Sequence, residues 1–196
     1  MPTIIIKDGI AVYDDSRGET LTARGTFWGI HRDPTTTTEN AFTVTVPSLS
    51  RHFKGGQWQW DGEKLTPLPA YLPDILKKTK SDKLAEINAA YESAIAALTA
   101  TYPASERESF YKQESEALAW TTDPESETPF VDALATGRQM DKAELMQRII
   151  AKAVLFSPAS GYLTGQRQRY EDMLEDAETL EEVAAIVPEY TMPEGV

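Results

Sequence analysis

Three prolines fall within eight residues of this chain, in Thr66-Pro67-Leu68-Pro69-Ala70-Tyr71-Leu72-Pro73. Proline locks φ and lacks a backbone N–H, so such a run disfavours helix interiors and central strands and reads as an extended connector. It also marks a change of chemistry. Residues 1–70 are rich in Thr, Gly and aromatics, with seven basic and eight acidic side chains for a net of −1. Residues 71–196 are rich in Ala, Glu and Leu, with twelve basic and twenty-three acidic ones for a net of −11. A chain of 196 residues has room for one domain or two small ones. The connector therefore predicts a small β-rich domain at residues 1–66, a Pro-rich linker at 67–73 and an α-helical domain at 74–196. The expected class is α+β, with a small N-terminal antiparallel β domain preceding the helices.

The first part reads as short strands. Residues 3–6 are β-branched, and Asp8-Gly9 is a hairpin turn signal before residues 10–13. Asp14-Asp15-Ser16-Arg17-Gly18 is a loop, and residues 21–30 read as a further strand interrupted by Gly25 and Gly29. A polar loop from Asp33 to Thr38 leads into Phe42-Thr43-Val44-Thr45-Val46, which alternates with period two. Beyond Gly55-Gly56, alternation puts Trp58 and Trp60 on one face before the turn Asp61-Gly62. Phe27, Trp28, Phe42, Phe53, Trp58 and Trp60 are dense for so small a unit. Two readings stand side by side. Large side chains are what a unit of this size needs for a core, while an aromatic face also suits docking on another protein. Phe27, Trp28, Trp58 and Trp60 are the candidate partner-binding residues.

The second part carries helical periodicity. Leu84, Ile87, Tyr91, Ala94, Leu98 and Thr101 form a stripe, widened by Ile95, that predicts an amphipathic helix over 81–101 ending at Pro103. Ser105 with Glu108 has capping-box spacing, and the helix it opens is expected to send Phe110, Tyr111, Ala117, Leu118 and Trp120 to the core. Thr128-Pro129 opens the next helix and Gly137 can close it. Asp141 with Glu144 repeats the capping spacing before Leu145, Met146, Ile149, Ile150, Ala153 and Val154. Thr179 with Glu182 does so before a last short helix running to Pro188. Pro158 interrupts a helical stretch, at a cost of about 3 kcal/mol inside a helix. The alternatives are a kinked helix and a new one capped by Ser157, and the second is the expected outcome.

Catalytic patterns are sparse. His31 and His52 have no helical ligand spacing, and His52, beside Arg51 and a Gly-Gly turn, reads as a surface or half-buried polar residue. There is no G-x-S-x-G elbow, phosphate-binding glycine loop or calcium loop, and there is no cysteine. The carboxylates around Glu171, Asp172, Glu175, Asp176, Glu178, Glu181 and Glu182 read as a solvated face over Met173, Leu174 and Leu180. Lys77-Lys78-Thr79-Lys80 is the one basic cluster and has no adjacent aromatic reader, which argues against nucleic acid. No signal peptide or membrane span is visible. The expectation is a non-enzymatic protein with no cofactor, no metal, no nucleic acid and no membrane partner.

Several segments appear in a fixed order: Lys83-Leu84-Ala85-Glu86-Ile87-Asn88-Ala89-Ala90, Leu98-Thr99-Ala100-Thr101-Tyr102-Pro103, Lys112-Gln113-Glu114-Ser115-Glu116-Ala117-Leu118-Ala119-Trp120, Asp141-Lys142-Ala143-Glu144-Leu145, Ile149-Ile150-Ala151-Lys152-Ala153, Ser160-Gly161 and Gly165-Gln166-Arg167-Gln168. This series, over roughly residues 80–187, resembles the C-terminal helical domain of uncharacterised bacteriophage and prophage tail proteins, often described as tail-fibre proteins or tail-fibre assembly chaperones. The Trp60-Asp61-Gly62 turn followed by a Pro-rich run also looks like those proteins. The resemblance implies a phage tail protein that binds the tail-fibre polypeptide in the host bacterial cytoplasm and assists its folding or attachment. The alternative it implies is a permanent virion component in the tail, an adaptor between fibre and baseplate. A second copy of the chain is a further candidate partner. A host enzyme is the third class, and the motif search argues against it.

Overall fold

The structure is a computed structural model that describes residues 1–14, 18–28 and 30–192, with Trp28 by its backbone alone. Antiparallel sheets come first and helices follow, the α+β class expected. The chain divides into two compact units. The first comprises Met1–Asp82 with Glu178–Leu180, and the second Lys83–Ala177 with the chain from Glu181 onward.

In the first unit β1 (Thr3–Lys7) and β2 (Ile10–Asp14) form the expected hairpin. Asp8 (φ 52°) and Gly9 (φ 76°) both take positive φ, which the tight two-residue turn demands. Residues 21–30 do not make one interrupted strand. They contribute to a three-stranded meander of β3 (Thr20–Thr22), β4 (Gly25–Trp28) and β5 (His31–Asp33). Gly25 permits the first reversal: its φ is 131°, and a Cβ there would lie 2.5 Å from the Asp33 carbonyl oxygen. Asp15, Ser16 and Arg17 of the expected loop, and Gly29, lie outside the described residues.

With β6 (Ala41–Thr45), β7 (Trp58–Trp60) and β8 (Leu65–Pro67), the larger sheet has the order β6-β1-β2-β7-β8, antiparallel throughout. Interior strand β1, between β6 and β2, buries Ile4, Ile5 and Ile6 completely, so both its faces are covered and its apolar run is continuous. Ile4 and Ile6 join Ala11, Val46, Phe53, Trp58 and Ile75 in one core cluster.

Ile75 belongs to α1 (Leu72–Leu98), which starts earlier than the stripe over 81–101 predicts. The proline run is thereby absorbed into structure. Pro67 ends edge strand β8, where a missing N–H is tolerated. Pro69 lies in a turn closed by the Tyr71 N–H on the Leu68 carbonyl at 2.8 Å. Pro73 occupies the first turn of α1, where N–H groups lack helical partners anyway. The two units divide at Asp82/Lys83, inside α1, and not at residues 67–73.

The second unit takes residues 83–98 of α1, then α2 (Ala104–Arg107), α3 (Phe110–Thr122), α4 (Pro129–Arg138) and α5 (Lys142–Asp176), with most of α6 (Leu180–Ala185). Its caps differ from expectation. Ser105 sits inside α2 behind Pro103, with no side-chain cap. The backbone stays helical through Ser109, whose hydroxyl donates to the Glu106 carbonyl at 2.7 Å, so capping geometry never arises. Thr128 precedes Pro129 as predicted, but the orphan N–H groups of Phe130 and Val131 are taken by the Glu116 carboxylate of α3, at 3.3 and 2.9 Å. Gln139, not Gly137, takes the left-handed closing position, with Met140 N–H on the Ala135 carbonyl and Gln139 N–H on that of Thr136. Asp141 does cap α5, accepting from the Glu144 N–H at 3.0 Å, while the Glu144 carboxylate pairs with Arg148. The last helix stops at Ala185, short of Pro188.

Pro158 does not start a new helix. It lies inside α5, which runs unbroken for 35 residues. Pro158 and its surroundings Val154, Leu155 and Ser157 are solvent-exposed, so water can satisfy the carbonyl that loses its partner. Ser157, the expected cap, instead donates to Glu114 Oε1 of α3 at 3.1 Å.

Candidate docking groove

The four aromatic candidates of the first unit do not form one exposed face. Trp58 is 5% exposed within the core, its ring 6.1 Å from that of Phe53. Its indole N–H has no hydrogen-bond partner among the described residues. Trp60 is half-buried against the same cluster, so period-two alternation sends both tryptophans inward. Phe27 is half-buried on β4 beneath the Arg32 guanidinium, 5.6 Å from its ring centre. The Trp28 backbone pairs with His31, and its side chain lies outside the described residues.

Other polar groups of this unit hold structure together. The Asp33 carboxylate accepts from the Thr36 hydroxyl (2.7 Å), the Thr35 hydroxyl (2.7 Å) and N–H (2.8 Å), and the Tyr13 hydroxyl (3.0 Å). Those bonds, Thr36 first, hold it far below the ordinary carboxylate range. Burial, followed by that same bond to Asp33, pushes the Tyr13 hydroxyl up to about 12. His52 Nε2 lies 2.6 Å from Asp82 Oδ2, and Arg51 reaches the same oxygen at 3.2 Å. Burial raises the Asp82 carboxyl, but the bonds and charges of Arg51 and His52 outweigh it and lower it on balance. His52 is thus a half-buried polar residue that holds the Asp82 carboxylate. Among the described residues no group of three or more His, Asp and Glu is placed to hold a metal.

The helical unit presents a different surface. α3, α4 and the start of α5 pack around Ala117, Val131, Ala135, Leu145, Met146 and Ile149, with Trp120, Leu134, Met140 and Ile150 against them. Tyr111 and Leu118, expected in that core, are 82% and 51% exposed. They sit seven residues apart on one flank of α3, to the side of the face that buries Ala117, the one fully buried residue of this helix. Val154, also expected inside, is exposed too. Leu134, Leu145 and Ile149 continue from the core into a groove of about 960 Å³. Its floor is aromatic. Phe110 stands edge-on to Tyr102 (centroids 5.1 Å, 88°) and to Phe156 (6.3 Å, 79°). Leu98, the last residue of α1, and Thr99 just after it also line the groove, and Arg107 reaches Thr99 Oγ1 at 3.3 Å.

Charge on the groove is sorted by wall. The α4–α5 side carries Arg138, Arg148 and Lys152, the last with its ammonium 4.8 Å from the Tyr102 ring centre. The α2–α3 side carries Glu106 and Glu114. Leu155 stands on the lip, 61% exposed, beside Val154 at 64%. Periodicity could not announce this groove, because Phe110 reads as an ordinary core position and Phe156 stands outside the apolar stripe read for residues 145–154. One signal was available: residues 145–170 contain four basic side chains and no acidic one, within a half carrying −11.

A family described as the HI1402 helical domain matches residues 151–188, a stretch that includes Ala151, Lys152, Ala153, Leu155 and Phe156 of the groove wall. Comparisons with curated proteins and with solved structures return no match.

Proposed function

We propose that this chain is a non-enzymatic binding protein that holds a bacteriophage tail-fibre polypeptide in the host cytoplasm and assists its folding or attachment, with the helical groove as the holding surface. The observation that carries the reading is the aromatic-floored groove with apolar Leu155 left standing on its lip. Large apolar side chains in contact with solvent beside a concave apolar surface are the mark of an interaction site. The identity of the partner rests on the sequence resemblance over residues 80–187. Trp58 and Trp60 are spent on the first unit's core, which moves the grip from the β unit to the helices.

Co-expression with the phage's own fibre gene tests this, scoring soluble trimeric fibre with no partner, with the wild-type chain and with Leu155→Asp. The wild-type chain should raise the yield, and the exposed-site variant should fold yet lose that effect. Fibre that matures equally well without the protein would sink the role. Particles are expected to lack the chain at stoichiometric levels; finding it there by mass spectrometry would select a permanent fibre–baseplate adaptor instead.

A further inference from the structure

We propose that the groove takes an amphipathic helix of the partner whose apolar stripe is flanked by acidic residues on the side facing Arg138, Arg148 and Lys152. The inference rests on the reading of the groove as the holding surface and specifies what it holds. Its first support is shape. Between Leu145 and Phe156 the α5 wall rises about 16 Å, three turns of helix. A helix laid alongside presents anchors at i, i+3 or i+4, and i+7 to such a wall. Its second support is the lip. A compact ligand sunk on Phe110 and Tyr102 would leave Leu155 uncovered, whereas a helix lying in the groove's mouth covers floor and lip together.

Its third support is charge complementarity. Arg148 and Lys152 of α5 and Arg138 of α4 line one wall of the groove, while the half of the chain around them is strongly acidic. Lys152 is held over Tyr102 and is thus positioned at the groove in advance of any partner, which lowers the ordering cost of reading a carboxylate. Arg148 is already paired with Glu144 at 2.6 Å, so Lys152 and Arg138 are the cations that carry the recognition. A helix with a basic flank would meet the same wall with like charge, and like-charge juxtaposition selects strongly against wrong partners. Glu106 and Glu114 on the opposite wall repel an acidic flank, so the groove's own charges also fix which way the helix faces.

The experiment uses the full chain and two synthetic helical peptides of about twelve residues. They share one Leu/Phe stripe and differ only in a Glu-rich or Lys-rich flank. Affinities by fluorescence anisotropy at low and high salt, with amide chemical-shift mapping, are compared for wild type and for the Arg138→Glu/Lys152→Glu double variant, its fold checked by circular dichroism. The expected result is at least about tenfold tighter binding of the Glu-flanked peptide, weakening with salt, with shifts confined to residues lining the groove. The double variant should reverse the preference. Equal affinity for both peptides, a preference for the Lys-rich one, or shifts mapping elsewhere would overturn the proposal. So would peptide-independent self-association that is lost in Leu155→Asp, since a second copy would then be the occupant. Should the double variant leave fibre yield in co-expression unchanged while Leu155→Asp abolishes it, this inference fails and the functional reading stands. Should neither matter because fibre never engages the chain, the functional reading itself has failed.

Discussion

The β unit and the helical unit differ in where they place most of their aromatic side chains, although each leaves some apolar surface exposed, Ile30 and Phe42 in the first and Tyr111 and Leu155 in the second. The first unit turns Trp58, Trp60, Phe53 and three consecutive isoleucines inward and ties its loops with short polar knots such as Asp33 with Thr35 and Thr36. The second, richer in helix and acidic charge, leaves Tyr111, Leu118, Val154 and Leu155 in solvent and keeps an aromatic groove open. A small sheet needs large side chains for its core, and Phe53, Trp58 and Trp60 supply them here, while Phe42 on edge strand β6 stays 53% exposed. A set of helices joined through side chains can afford a gap between them: Tyr91 bonds Thr164 at 3.0 Å and Arg167 bonds Asn88 at 3.0 Å, tying α1 to α5 away from the groove. Aromatic density by itself therefore does not locate a docking surface; unspent apolar area does.

The largest expected effect breaks that contrast at its clearest point. Trp58→Ala should cost about 3–5 kcal/mol of stability, whereas Leu155→Ala should change stability by no more than about 0.5 kcal/mol. Urea titration followed by circular dichroism measures both. Because the Trp58 indole N–H has no partner among the described residues, Trp58→Phe should cost clearly less than the alanine change. If Leu155→Ala proved as damaging as Trp58→Ala, the lip would be core and the contrast would collapse.

Pro158 sharpens the helical side. Pro158→Ala restores one helical hydrogen bond and removes a clash, offset by a more flexible unfolded chain, for a net gain of about 2 kcal/mol. A higher Tm with more helical ellipticity is the expected observation; loss of stability would show that the proline serves the path of α5. Glu116→Ala should cost about 1–2 kcal/mol, since it strips the cap from Phe130 and Val131 at the start of α4. Glu116→Gln, which keeps an acceptor, should recover part of that loss in the same melts.

The smallest effect is a matter of pH and belongs to the β unit. Asp33 has its carboxyl lowered in the fold, so its contribution is complete above about pH 4, the unfolded value, and disappears as pH falls toward the folded one. Tyr13 is raised, so its contribution is complete below about pH 10 and is lost as pH climbs toward 12. Asp33→Asn should flatten the acid limb of a near-ultraviolet circular dichroism titration. An unchanged acid limb would show that the polar knot around Asp33 carries no stability.

Much of this architecture was legible in sequence, and the gaps have physical causes. Asp8-Gly9, the alternation through Trp58 and Trp60, the Thr128-Pro129 start and the Asp141 cap all depend on neighbours in the chain, and each appears as read. What sequence missed depends on residues far apart. Ser105 has capping spacing, but α2 begins at Ala104 behind an extended Pro103, so Ser105 already sits inside the helix. Gly137 is suited to close α4, yet the helix runs on to Gln139. Pro158 reads as a break, but an exposed helix face tolerates it. The proline run reads as a linker, and pairing with Trp58 and packing of Ile75 fold it into the first unit. The groove itself needs Tyr102, Phe110 and Phe156, from three separate segments, to meet. Only the run of basic residues along α5 hinted at it.

Amide hydrogen exchange by mass spectrometry on the full chain, with and without its fibre polypeptide, tests most directly the claim that the helical unit holds the partner while Trp58 and Trp60 serve the core of the β unit. The account predicts new protection over residues 98–113 and 145–156, with β7 unchanged. Protection appearing around Trp58 and Trp60 while the groove segments stay as they were would contradict it.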